Sequence, residues 1–342
     1  MMIYHERMTI PTTTPKTLTK QPTLIDTIQS SLMDISAAVA RGRVQLDFLF
    51  SGFLRGTVGI LAGASGTGKS FFVLQLALGL ICRELNSLNI SYKSESAVVY
   101  FSLEEQDVII ADRLFSCLQS STKEVIDHVA KNLKIVSLYG KNFDIVTYKD
   151  AIASFLSLPE NKSVGLVIVD TFSRSHDKDE NSTAEMATLL KTTFEEIAVK
   201  SNVAMLILHH LSKAGSQAGD KTQHAMRGSS TLNSNTRWKG NLTTMSEPES
   251  ECLCNPDVYN QAISDTPGLY KQFVMMSEAC SYSASPPPIW LRRGSDGVLS
   301  PIELSSRTNS AFPATTKGRA KPSAAPTNNP RPPHEWPEVD FQ

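Results

Sequence analysis

Residues 63–70 read GASGTGKS, set between an apolar run, TVGILAG (57–63), and a helical pattern, SFFVLQLALGL (70–80). No other stretch restricts the fold of this chain as tightly. The octet satisfies G-x-x-x-x-G-K-[ST]. Glycines at 63, 66 and 68 remove the Cβ atoms that would keep backbone N–H groups from converging on phosphate oxygens. Ser65 and Thr67 complete the turn between them. Lys69 brings a flexible cation to the β- and γ-phosphates, the Ser70 hydroxyl suits Mg2+, and the helix beginning there points its positive dipole end at the anion. Gly63, Ser65, Gly66, Thr67, Gly68, Lys69 and Ser70 are therefore candidate ATP-binding residues, with Ser70 also a candidate Mg2+ ligand.

The order of elements points the same way. Apolar runs AVVYFSL (97–103), LKIVSL (133–138), GLVIVDT (165–171) and VAMLILHH (203–210) alternate with the helical patterns SFFVLQLALGLICREL, DVIIADRLFSCLQ, YKDAIASFLSL and TAEMATLLKTTFEEIAVK. Near-continuous apolar strands separated by helices predict an α/β fold: a mostly parallel central sheet with helices on both faces. After residue 228 the pattern changes to strand-like pieces without helices, TRWKGNLTTM, KQFVMMSEAC, IWLRR and GVLSPIEL. These predict antiparallel strands extending the sheet on its C-terminal side.

Three segments follow. Residues 1–42 are an N-terminal extension whose first thirty residues, rich in Thr, Pro and Lys, have a poorly ordered composition. Residues 43–305 are the folded ATPase domain. From Ser306 to Gln342 the chain is a disordered, Pro-rich tail by composition, holding seven of the 18 prolines.

The formal net charge of −1 gives no global attraction to nucleic acid or anionic membrane, so any polyanion must be met by local basic loops. The longest apolar run, 71–82, is 12 residues with Gln75 inside it, too short to span a bilayer. The opening MMIYHERMTIPTTTPK has no apolar core of the kind a secretion signal needs. The five cysteines, 82, 117, 252, 254 and 280, lack zinc-ligand spacing. A reducing cytoplasm is the expected location.

Hydrolysis needs more than a phosphate loop: a carboxylate for the metal and a group to orient water. The strand VGLVIVD ends in Asp170, the candidate metal-supporting carboxylate. Thr171 follows it, so the base must come from elsewhere. VVYFSLEE places Glu104 and Glu105 at the end of the next strand after the phosphate loop; Glu104 is the candidate base and Glu105 a surface or helix-capping acid. Both serving only as partners of a helix dipole is the alternative. MLILHHLSK ends a further buried strand in His209 and His210, where a polar group can feel the γ-phosphate. No companion ligands stand near them in sequence to make a zinc site.

Taken together, GTVGILAGASGTGKSFFVLQLAL, VIVDTFSRSHDKDENS, LILHHLSKAG and MRGSSTLNSNTRW resemble the RepA replicative helicases of broad-host-range IncQ-type plasmids. More broadly they are similar to hexameric, RecA-fold replicative helicases. The resemblance covers roughly 43–303 and leaves both tails unmatched. It implies a RecA-like ATPase core, a ring of six subunits with ATP between neighbours, and one DNA strand in the channel. Lys69 and Ser70 would then grip phosphate and magnesium, Glu104 would activate water, and Asp170 would support the metal. His209 matches the phosphate-sensing histidine of that family, and Arg237 in NTRW the arginine that reaches the neighbouring site. Arg227 in MRGSS matches too, with a structural salt bridge as its alternative.

Two loops would face the channel: 171–182, with Arg174 and His176 among several acids, and 211–230. The second is Gly-, Ser- and Gln-rich, and its Lys213 and Lys221 are the candidate single-stranded DNA contacts, since backbone binding needs charge neutralisation without base reading. Where relatives carry a lysine in S-K-x-N-Y-G, this chain has SEACSYS, with Glu278 in that place. The ending HEWPEVDF is acidic and aromatic; it either docks on replication proteins or only solubilises. The function these features imply is an ATP-driven, ring-shaped DNA helicase of a plasmid or similar mobile element. A non-translocating, ATP-gated DNA-binding regulator of recombinase type is the alternative.

Overall fold

The structure is a computed structural model and describes residues 23–211, 230–259 and 261–307. Two short helices, α1 (Leu24–Ser30) and α2 (Ile35–Arg41), lead into a hairpin of β1 (Phe48–Phe50) and β2 (Phe53–Leu54). The phosphate-loop strand β3 (Val58–Gly63) follows. Then come β4 (Ala97–Ser102), β5 (Leu133–Ser137), β6 (Val164–Asp170), β7 (Ala204–His210), β8 (Trp238–Thr244), β9 (Phe273–Cys280), β10 (Ile289–Arg293) and β11 (Leu299–Ile302). The last nine form one sheet in the order β11-β10-β9-β8-β3-β7-β6-β4-β5.

From β8 to β5 every neighbouring pair is parallel. The strands β9, β10 and β11 are each antiparallel to the one before. This is the α/β arrangement expected, including the antiparallel extension. The cause is visible in the burial: β3, β4 and β6 are buried at every residue, as apolar strands covered on both faces must be.

On one face, α3 (Lys69–Ile81) and α5 (Lys123–Asn132) join a core with Leu61, Tyr100, Ile168, Leu206 and Trp238. On the other, α6 (Lys149–Leu156), α7 (Thr183–Leu189) and α8 (Glu195–Ser201) cover Ile60, Val99, Val167 and Met205. A π-helical segment, Leu190–Phe194, joins α7 to α8. Phe53 of the first hairpin stacks on Trp238 with ring centroids 5.4 Å apart.

Parallel pairing brings the strand ends to one edge. Gly63 pairs with His210, and Ser102 with Asp170. A cleft beyond the carboxyl ends of parallel strands is where such sheets bind ligands.

Two expectations need correction. Residues 24–30 are not an irregular segment: Thr23 and Asp26 form a capping box that starts α1. The region after 228 does contain helices, α9 (Ser230–Asn235) and α10 (Glu247–Cys252). The second is nucleated by a Ser246–Glu249 capping box with Pro in its first turn, a local signal too short to show helical periodicity. Residues 1–22 and 308–342, and with them most of both tails, lie outside the described residues.

Candidate active site

Phosphate-loop geometry follows from its glycines. Gly66 and Gly68 adopt φ of 80° and 93°, which side-chain-bearing residues rarely enter. A Cβ on Gly63 would lie 2.8 Å from the Leu242 carbonyl and 2.9 Å from Thr67 Oγ1. Thr67 closes the turn by donating to Ala64 O at 3.0 Å. Lys69 is buried, its Nζ donating to Gly63 O (2.9 Å) and Ala64 O (3.0 Å) and lying 3.2 Å from His210 Nδ1. Burial lowers its pKa to about 8, against the opposing pull of Asp170 and Glu104.

Asp170 is buried at the end of β6, where Tyr100 donates to its Oδ2 at 2.6 Å. Burial raises its pKa, while hydrogen bonds from Tyr100 and Ser70 act the other way. The strand order therefore brings Ser70 and Asp170 together.

Glu104 and Glu105 leave β4 in different directions. Glu104 is half-exposed and its Oε2 is 3.1 Å from His210 Nε2. Glu105 is no surface acid. Arg113, on α4 (Asp107–Leu118), donates to both its oxygens and lies over the Phe71 ring, 5.2 Å from its centroid. One helical face thus turns Arg113 back onto the strand end that precedes the helix.

The two histidines separate by strand alternation. His209 is buried against Phe172, with ring centroids 6.2 Å apart. Burial first, then His210, Lys69 and His176, lower its pKa to about 4, so it is neutral at physiological pH. His210 instead points to Lys69 and Glu104. The sequence points to His209 for the phosphate; the side chain beside Lys69 belongs to its neighbour.

Lys69, Ser70, Glu104, Glu105 and His210 line a cleft of about 370 Å³ together with Ser65, Gly66, Arg113 and Arg293. A nucleoside triphosphate fits it chemically. Around Gly66 a Cβ would meet nothing within 4 Å, leaving room for an anion, and the buried Lys69 ammonium bonds only neutral backbone carbonyls and an imidazole. A hydroxyl and a carboxylate are hard oxygen donors of the kind Mg2+ takes when phosphates and water supply the rest. Among the described residues no group of three or more His, Cys, Asp or Glu is placed to hold a metal by itself.

Arg237 is not in this cleft. It is exposed, and its N–H donates to Val58 O at the start of β3. At about 3.3 Å per residue, the five steps from Val58 to Gly63 put it about 16 Å from the phosphate-loop edge. Lys239, two residues on, shares its face, and burial together with the Arg237 charge lowers the pKa of Lys239. Glu278 faces the other way, accepting from Trp238 Nε1 at 3.1 Å, and burial pushes its pKa up to about 7. Lys213, Lys221 and Arg227 lie outside the described residues.

Three further residues escape sequence reading: Tyr100, buried behind the cleft on Asp170, and Arg113 and Arg293, which line it. Arg113 had a usable signal, two helical turns beyond Glu105; Arg293 had none, being 227 positions from its partner Gly66.

This fold and loop define an α/β protein with a mostly parallel sheet and a glycine-rich loop at the carboxyl edge of its strands. Residues 30–216, over half the sequence, match the AAA domain family, and the chain belongs to that family. A probable replicative DNA helicase of Trieres chinensis is 24% identical over 209 residues, 56% of this chain and 43% of its own length. The chain therefore matches less than half of that relative. The structure of a DnaB-like replicative helicase, described with its interactions with primase, superposes with a TM-score of 0.52 at 14% identity, covering 83% of this chain and 68% of that one. The crystal structure of the RadB recombinase gives a TM-score of 0.44 at 14% identity, over 74% of this chain and 93% of that one. No helix among the described residues is long and apolar enough to cross a membrane.

Proposed function

We propose that this protein is an ATP-dependent DNA helicase that assembles as a ring and hydrolyses ATP at each seam between subunits. The ring has six copies, and single-stranded DNA passes through it during replication of a plasmid or similar mobile element. One observation carries this reading: Lys69, Ser70, Asp170 and Glu104 converge on one edge of the sheet, while Arg237 stands exposed at the other. A site whose own chain holds the phosphate grip, and whose arginine lies away from it, is completed by a second copy.

Each residue then has a task. The loop amides, Lys69 and Ser70 hold the nucleotide, and Glu104 takes the proton of the attacking water. Ser70 and Asp170 would hold Mg2+, which would supply positive charge to the phosphate oxygens. Arg237 of one subunit stabilises charge on the transferring phosphoryl group of the next, so turnover depends on ring geometry. His210 reports on the phosphate through Lys69 and Glu104. The neutral His209 passes the change to Phe172 and the loop after β6. Lys213 and Lys221 meet the DNA backbone, and the tail beyond 306 meets other replication proteins.

Helices α1 and α2 support assembly. Neither buries a residue, and Leu24, Ile35 and Val39 are 74%, 73% and 75% exposed. Capped helices with bare apolar side chains suit a protein contact.

The test is ATPase activity with and without single-stranded DNA, beside unwinding of a forked duplex and mass in solution. DNA-stimulated turnover, an oligomer, and unwinding lost in Lys69→Ala support the helicase. ATP-dependent DNA retention without unwinding supports the regulator instead, a reading to which Glu278, standing where the family resembled carries a lysine, leaves room.

A further inference from the structure

Arg293 ends β10 and has no part in the roles given above. β10 is antiparallel to β9, and β9 to β8, which is parallel to the phosphate-loop strand β3. Two reversals restore the direction of β3, so the last residue of β10 emerges at the edge where the phosphate loop begins. There Arg293 Nη2 donates to Gly66 O at 3.0 Å, and a Cβ on Gly68 would lie 2.7 Å from the same nitrogen. The turn beyond is fastened to α3. A Cβ on Gly297 would lie 2.6 Å from the Phe71 ring, and the buried Gln75 amide donates to Leu299 O (2.8 Å) and accepts from Leu299 N (2.9 Å).

The guanidinium is half-buried, with no counter-charge paired to it among the described residues. Burial lowers its pKa, and its buried Nε has no hydrogen-bond partner among the described residues. Its neighbour Arg292 differs, pairing with Asp257 at 2.7 Å. A desolvated cation with an open donor, in a cleft lined by the phosphate loop, is costly until an anion meets it.

We propose that Arg293 is a nucleotide-binding residue, contacting the phosphate chain of a nucleoside di- or triphosphate held by its own subunit. The inference rests on the nucleotide-binding part of the function proposed above. Arg293 meets the glycine turn of the loop, at Gly66 and beside Gly68, whereas the candidate metal carboxylate Asp170 has Tyr100 and Ser70 as its side-chain partners. Its contact therefore serves diphosphate and triphosphate alike.

The test compares Arg293→Gln, Arg293→Lys and Arg292→Gln in the full chain. Fluorescent ADP and a non-hydrolysable ATP analogue are titrated, and Tm is recorded without nucleotide. Arg293→Gln weakens both nucleotides by about tenfold, the loss of one charge-assisted contact. Arg293→Lys recovers part of that loss, and Arg292→Gln binds as the wild type does. The nucleotide-free Tm of Arg293→Gln equals or exceeds that of the wild type, because a half-buried cation with an unmet donor has gone. Unchanged affinity, or a loss confined to the triphosphate, would overturn the proposal. So would weakened binding with a lowered nucleotide-free Tm, the mark of a clamp on the loop. Wild-type protein that binds neither nucleotide would instead refute the phosphate-loop reading beneath it.

Discussion

Lys69 and His210 touch: Nζ lies 3.2 Å from Nδ1, and the far nitrogen of the same ring lies 3.1 Å from Glu104. The candidate phosphate-gripping cation and the candidate water-activating carboxylate are thus bridged by one imidazole. On the function proposed above, a γ-phosphate would compete with the imidazole for the Lys69 ammonium, linking occupancy to the position of the base.

Replacing the bridge separates binding from turnover. His210→Ala keeps nucleotide affinity within about threefold, since the loop amides and Lys69 remain, while lowering turnover at least about tenfold. Titration of a fluorescent nucleotide beside steady-state ATPase rates checks this. Equal loss in both would make His210 a plain binding residue.

Lys69 makes nucleotide binding pH-dependent. Its pKa of about 8 in the free protein must rise when phosphate binds, so binding takes up a proton above that value. Affinity for ATP is flat below about pH 7 and falls by up to about tenfold per pH unit above pH 8. Dissociation constants from pH 6.5 to 9.5 test the slope, which Lys69→Met removes.

Glu278 destabilises the fold at alkaline pH. Its carboxyl titrates near 7 in the folded chain against an ordinary 4.5, so the folded state holds a proton the unfolded chain has released. The stability linked to this group is full below 4.5 and is lost as pH rises through 7. Glu278→Gln is neutral throughout and can still accept from Trp238. It is more stable than the wild type by about 1–3 kcal/mol at pH 8, with the gap closed by about pH 4. Denaturant unfolding at the two pH values measures it.

Gly63 is a packing requirement as well as a loop residue. An added methyl meets the Leu242 carbonyl at 2.8 Å, and that backbone cannot rotate away. Gly63→Ala costs about 1–3 kcal/mol by overpacking and weakens nucleotide binding with it. Thermal unfolding without ligand reads the first effect separately.

The sheet is legible in the sequence because its strands are buried on both faces, so apolar runs such as GLVIVD stand out without alternation. The phosphate loop is legible because its chemistry allows few residue types. Which of His209 and His210 faces Lys69 is not legible: it depends on the register of β7 against β3, where a shift of one residue exchanges them. Arg113 and Arg293 escape for a related reason. Their positions follow from where α4 and β10 end in space, and only the assembled sheet brings β10 back parallel to β3.

Sharing of each hydrolytic site between two copies is the central claim, and mixing Lys69→Ala chains with Arg237→Ala chains tests it most directly. Each variant alone is inactive, but in randomly mixed rings about one quarter of the interfaces pair an intact phosphate loop with an intact arginine. DNA-stimulated ATPase activity recovered on mixing, up to about that fraction of wild type, is the predicted result. A mixture no more active than its components would contradict a shared site.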